Sequence, residues 1–235
     1  LEIFPTESFL PFPFRKKEIA MKMVCLSVIA LLFVSIPLGC ATTDTVRYDI
    51  GLFAVERPEN AKERDGKEKI GTLQEEDATK YSFEDDLIRI VWTATPEQLD
   101  FDLTNKTNHS IGIIWDKAVY VDEKGNSQRI MHSGVKYTDR NNPQPPTTVA
   151  KGATVSDLLF PAENVDWIGG PYSGWQIKPL FPTSSTSGSP EELLVKAKKY
   201  VGKSFHVLLP LEIEQAVKEY IFVFKVNDVV MGKTY

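Results

Sequence analysis

From residue 80 onward, turn-forming residues break the chain about every 8 to 12 positions, and the pieces between them are rich in aromatic and β-branched side chains. Such pieces are too short for a helical bundle and lack the strand-helix alternation of a parallel sheet, which directs the chain towards antiparallel β-structure. The clearest is "QLDFDLTN" (residues 98 to 105), where Leu99, Phe101 and Leu103 recur at the period of a strand with one buried face. "VRYDIGLFAVE", "KYSFED", "LIRIVWTAT", "IGIIW", "ATVSDLLFP", "YSGWQIKPLF", "KSFHVLLPLEI" and "VKEYIFVFKV" read as further strands. "AVYVDEKGNSQRIMH" (118 to 132) reads as a hairpin turning at Gly125-Asn126, with Tyr120 on the face opposite Val119 and Val121.

One helix interrupts this pattern. "SPEELLVKAKKYVG" (189 to 202) places Ser189 at the N-cap, Pro190 in the first turn, Glu192 in the capping-box position and Gly202 at the stop. Leu193, Leu194, Ala197 and Val201 are then expected to face a sheet. The mixed-charge segment from Glu56 to about Asp77 reads as a long loop or a partly disordered connection, and "DRNNPQPPTTV" (139 to 149) as a proline-rich loop outside any sheet. The expected fold is mainly β, an antiparallel β-sandwich spanning residues 46 to 235 with one short helix.

With 235 residues and 42% hydrophobic content, the chain carries enough apolar material for one sizeable core. A net charge of -5 without a basic block argues against nucleic-acid binding, which needs concentrated positive surface.

Residues 1 to 20 carry scattered Phe and Pro with no period and read as sequence upstream of the true start. From Met21 or Met23 the pattern becomes that of a secretory signal: Lys22, then the apolar run "MVCLSVIALLFVSIPLG", ending at Gly39-Cys40. This stretch resembles the lipoprotein signals of bacteria, in which a small residue precedes a cysteine that is lipid-modified and becomes the new N-terminus. Pro37 and Leu38 depart from the usual residues of that motif. The resemblance implies a signal helix over 21 to 39, cleavage between Gly39 and Cys40, acylation of Cys40, and a short tether over 40 to 45. It also implies a place in the cell envelope, the domain facing the periplasm or exterior, with the lipid bilayer as a first partner. Ala41 in place of Asp favours the outer membrane where there is one.

Cys25 falls inside the signal, so Cys40 would be the mature chain's one cysteine, leaving neither disulfide nor cysteine nucleophile. "LDFDLTNKTNHSIGIIWDKAVYVDEKGNSQRI" is similar to the immunoglobulin-like domains of exported bacterial proteins, including the FxLYD type. That likeness implies a fold and brings no catalytic residues.

Chemistry is sparse in the mature chain. His109 lies in a polar turn, while His132 and His206 lie in strands; Ser133 follows His132, but neighbouring strand residues point to opposite faces. No enzyme, metal or cofactor is expected. The acidic groups Glu75-Glu76-Asp77, Asp85-Asp86 and Glu191-Glu192 read as solvated loops and a helix start, and "DEKGN" as a turn rather than a calcium loop. "DWIGGPYSGWQI" is the distinctive segment, with Trp167, Tyr172 and Trp175 around three glycines. The favoured reading has these rings ending two core strands and packing inward. The alternative is a glycan-binding loop, on which exposed rings would stack against a sugar. The expected function is therefore a non-catalytic binding or structural module, partnered by another envelope protein.

Overall fold

The computed structural model describes residues 44–58, 61, 65–74, 79–171, 173–184 and 189–233. Cys25, Gly39, Cys40 and the whole signal-like segment lie outside them. Alternation produces the expected strands, and every pairing among the described residues is antiparallel. The first five are β1 (Asp44–Glu56), β2 (Lys69–Gln74), β3 (Thr79–Glu84), β4 (Ile88–Ala94) and β5 (Leu99–Asn105). In β5, Leu99, Phe101, Leu103 and Asn105 are buried, at alternate positions.

Then follow β6 (Ile111–Ile113), β7 (Val119–Val121), β8 (Ser127–His132), β9 (Thr147–Val149) and β10 (Thr154–Pro161). The turn between β7 and β8 forms as read, with Tyr120 buried and Gly125 at φ +87°. Asp122 accepts the backbone N–H groups of Lys124 and Asn126, so its carboxylate is engaged in holding the turn. The last four strands are β11 (Val165–Ile168), β12 (Gly174–Ile177), β13 (Ser204–Ile213) and β14 (Ala216–Lys233).

Twelve strands form one sheet in the order β1-β14-β13-β7-β8-β10-β5-β4-β3-β2, with β6 joined to β13 and β9 to β6. The corner lies in β8, whose Ser127–Arg129 stretch pairs with β7 while Ile130, Met131 and His132 pair with β10. The sheet curls there until β3 and β4 face β14. Trp92 meets Phe222 and Phe224 with ring centroids 5.0 and 5.4 Å apart, and Phe83 meets Tyr220 and Phe222 at 5.9 Å. Tilted and edge-on geometry of this kind adds about 0.5 to 1.5 kcal/mol per pair to the burial itself. Trp92 and Trp115 are fully buried.

Helix α1 (Pro190–Lys198) starts at Ser189, whose Oγ accepts the Glu192 N–H at 3.3 Å. Leu193 and Ala197 are buried, and Leu194 packs at the edge of the core. Val201 is exposed, against expectation, because the helix stops at Lys198 and the chain turns away through Gly202 at φ +82°.

Three further expectations are corrected. The charged segment 56 to 77 contains β2, which is exposed at nearly every position and is held by backbone pairing to β3 rather than by burial. The proline-rich loop ends in β9, a short strand against β6. Asp85, assigned to a solvated loop, is buried: Oδ1 accepts the N–H groups of Leu87 and Ile88 at 2.9 Å, and Oδ2 accepts the Tyr220 hydroxyl at 3.1 Å and Arg57 at 3.2 Å. Nearby, Lys218 pairs with buried Asp65 at 2.7 Å. These ionic contacts bind the polar connection after β1 to the rim of the curled sheet.

The two-residue turn from β13 to β14 holds Glu214 at φ 52° and Gln215 at φ 64°, a left-handed pair that ordinarily selects Asn-Gly. Gln215→Gly is therefore expected to raise stability by about 1 kcal/mol, checked by urea unfolding, because glycine meets no steric penalty at that φ.

Candidate functional site

Strands β11 and β12 form a ribbon of their own, hydrogen-bonded to each other and not to the larger sheet. Its register pairs Val165 with Ile177 and Trp167 with Trp175, so all four side chains share one face. The Val165–Ile177 end closes over a small apolar cluster containing Met131, Phe160 and Ala162. The Trp167 end overhangs that cluster.

The two tryptophans consequently differ. Trp175 is half-buried, its ring 6.1 Å from Tyr137 at one side, with the Arg140 guanidinium 5.2 Å from its centroid. Trp167 is 57% exposed and touches Trp175 edge-on at 5.5 Å. The inward packing expected for these rings fails at Trp167, since the body of the domain ends before the ribbon does. Tyr172 lies outside the described residues. Of the three glycines only Gly170, at φ +118°, occupies a backbone region that demands one; a Cβ at Gly169 or Gly174 would meet open space. Behind the ribbon, Lys178 pairs with Asp166, and Asn164 donates to the Lys178 carbonyl at 3.0 Å, which secures the base.

A second constellation sits beside it. His132 Nδ1 lies 3.1 Å from Asp157 Oδ2, and the imidazole stacks flat on Trp115 with centroids 4.0 Å apart and planes 6° apart. Trp115 is itself fixed by donating Nε1–H to Thr147 at 2.8 Å. Because an ionised carboxylate only accepts, the His132 proton resides on Nδ1 and Nε2 is left as the chemically available nitrogen. Ser133 meets Asp157 through its backbone N–H at 2.9 Å. Ser133 lies in the turn just after β8, so the strand-face expectation does not apply to it, and among the described residues no hydrogen bond joins its side chain to His132.

The three histidines stay apart. His109 is exposed, 3.8 Å from Glu214, and His206 sits in β13 opposite Val121. Among the described residues there is no cluster of three His, Cys, Asp or Glu side chains suited to a metal ion.

The sequence reading singled out the tryptophans but missed the His132–Asp157 pair, since 25 residues separate the two and the β8–β10 register alone unites them. It also missed the role of Asn105, placed there at the end of the strand 98 to 105. Asn105 is fully buried and donates to the carbonyls of His109, Val149 and Ala150 while accepting from Thr107. The Asn-Lys-Thr-Asn stretch was visible, but its role as a junction between β5 and the chain around β9 depends on partners more than 40 residues away.

No family model, curated protein or solved structure matches this chain.

Proposed function

We propose that this chain is a lipid-anchored envelope protein whose β-domain is a binding module, with the Trp167 end of the β11–β12 ribbon as its contact surface. The observation that carries the reading is the 57% exposure of Trp167 at the overhanging end of a ribbon hydrogen-bonded separately from the main sheet. Large aromatic side chains left in solvent on a braced support are the usual anchors of recognition, because they bury much area at little entropic cost on binding. The anchor rests on the sequence alone: the apolar run ending at Gly39-Cys40, with acyl chains on Cys40 supplying roughly 0.8 kcal/mol of membrane affinity per buried methylene. The antiparallel strands curled face to face support assignment to the immunoglobulin-like sandwiches, with the corner in β8 as a departure from two separate sheets. The partner is another envelope protein.

A glycan is the second reading, favoured by the paired Trp167 and Trp175 rings on one face of the ribbon. Both readings meet in one experiment. A photocrosslinker at exposed Ile168 is expected to capture a discrete envelope protein in cells, and Trp167→Ala to abolish capture while changing stability by less than about 0.5 kcal/mol. Failure to capture protein, with tryptophan fluorescence quenched by soluble envelope oligosaccharides, transfers the site to the glycan reading. Intact mass of the membrane fraction tests the anchor: a chain beginning at Cys40 with acyl mass is expected, and for Cys40→Ser an unacylated chain that keeps residues before position 40. A native chain lacking acyl mass would remove the anchor.

A further inference from the structure

A cavity of about 350 Å³ opens beside the ribbon, a size at the lower end of small-molecule sites. One wall is apolar: Val135, Tyr137, Leu158, Phe160 and Ile177, all of them members or neighbours of the small cluster beneath the ribbon. The remaining lining includes His132, Ser133 and Lys136, and no acidic residue.

Those three polar residues have unspent capacity. His132 uses Nδ1 on Asp157 and stacks on Trp115, and among the described residues Nε2 has no hydrogen-bond partner. Among the described residues, Ser133 bonds through its backbone N–H and not its hydroxyl, and the Lys136 ammonium has no partner. Asp157, which touches the lining, is only 7% exposed in its side chain and already holds His132 and the Ser133 N–H. The cavity therefore presents a greasy wall, the Lys136 charge, and a serine hydroxyl able to donate to an oxygen acceptor, with the imidazole Nε2 as an acceptor beside them.

We infer that this cavity binds a small ligand with an apolar body and a single anionic head, such as an aryl carboxylate. The body replaces water against Leu158, Phe160 and Ile177. The head pairs with Lys136 and accepts from Ser133. The site is separate from the Trp167 surface, and the inference stands whichever partner that surface takes.

Calorimetry on the full chain in detergent, with detergent alone subtracted, supplies the test, using 2-naphthoate as the anionic probe and 2-naphthylmethylammonium as its cationic counterpart. Saturable one-to-one binding of 2-naphthoate is expected, with the cation at least about tenfold weaker. Lys136→Glu, a change at an exposed side chain, is expected to weaken 2-naphthoate about fivefold and to narrow or reverse the preference. Val135→Trp, which fills the cavity from its half-buried rim, is expected to abolish binding of both. Trp167→Ala leaves 2-naphthoate affinity within about twofold, which separates this site from the ribbon surface. No saturable binding up to about 1 mM, equal affinity for anion and cation, or 2-naphthoate binding unchanged in Lys136→Glu overturns the inference.

Discussion

Asp85→Ala is expected to lower the stability of the domain by about 3 to 5 kcal/mol, a large share of the roughly 5 to 15 kcal/mol that holds an ordinary domain together. The size follows from what the substitution leaves behind. Arg57, with a side chain only 6% exposed, loses the carboxylate 3.2 Å away and retains the Gly66 carbonyl at 3.2 Å and the half-exposed Glu68 at 3.4 Å. The Tyr220 hydroxyl and the N–H groups of Leu87 and Ile88 lose their acceptor in the same step. The gain from the intact pair is smaller than this loss, because bringing both charges out of water cost almost as much as their attraction returned. Asp85→Asn is accordingly expected to cost less, since an amide oxygen still accepts from the backbone while the guanidinium charge stays uncompensated. Adding Arg57→Met to Asp85→Asn is expected to restore most of the difference. Urea unfolding of the three variants checks the order; a loss under about 1 kcal/mol for Asp85→Ala would mean that water reaches Arg57 and the pair is effectively a surface one.

Alkaline pH is expected to unfold the protein steeply from about pH 10. Burial first, and then the charges of Glu123 and Asp122, raise the Tyr120 phenol above its ordinary value of 10.0; burial first, and then Asp85, raise that of Tyr220. Both side chains are nearly inaccessible, at 3% and 1% exposure. Below pH 10 the phenols are neutral in folded and unfolded chains alike, and the full stability is present. Above it the unfolded chain releases protons that the folded chain retains, so the unfolded state gains ground as pH rises. Each such phenol removes about 1.4 kcal/mol per pH unit, and the two together close to 3. Half-buried Tyr48, with its hydroxyl donated to the Pro182 carbonyl at 2.8 Å, shifts in the same direction. Urea midpoints at pH 8, 9, 10 and 11, with tyrosinate absorbance followed in parallel, are expected to show a plateau and then a fall in which ionisation accompanies unfolding. Stability unchanged between pH 10 and pH 11 would contradict the burial argument. Tyr120→Phe is expected to make the fall shallower, and Tyr220→Phe likewise after its own loss of the Asp85 bond.

The strands that could be read in advance share one trait: a face that must be dry. β5 and the β7–β8 hairpin betray themselves because every second side chain either meets the core or does not, and α1 because Ser189, Pro190 and its apolar spacing agree. β2 carried no such mark, since an edge strand exposed at almost every position is held by main-chain hydrogen bonds that any side chains permit. Asp85 and Arg57 were invisible for a related reason. Charged residues are placed outside by default, and their burial becomes affordable only when partners 28 and 135 positions away arrive together.

Composition and periodicity alone thus determined that this chain would form an antiparallel β-structure with one capped helix, and they marked Cys40 and the paired tryptophans for attention. Where the sheet turns its corner, which tryptophan stays in water, and that His132 meets Asp157 beside an apolar cavity were decided by register and curvature. Those are properties of strands packed against one another, and a local pattern of side chains holds no record of the distance at which its partners will be found.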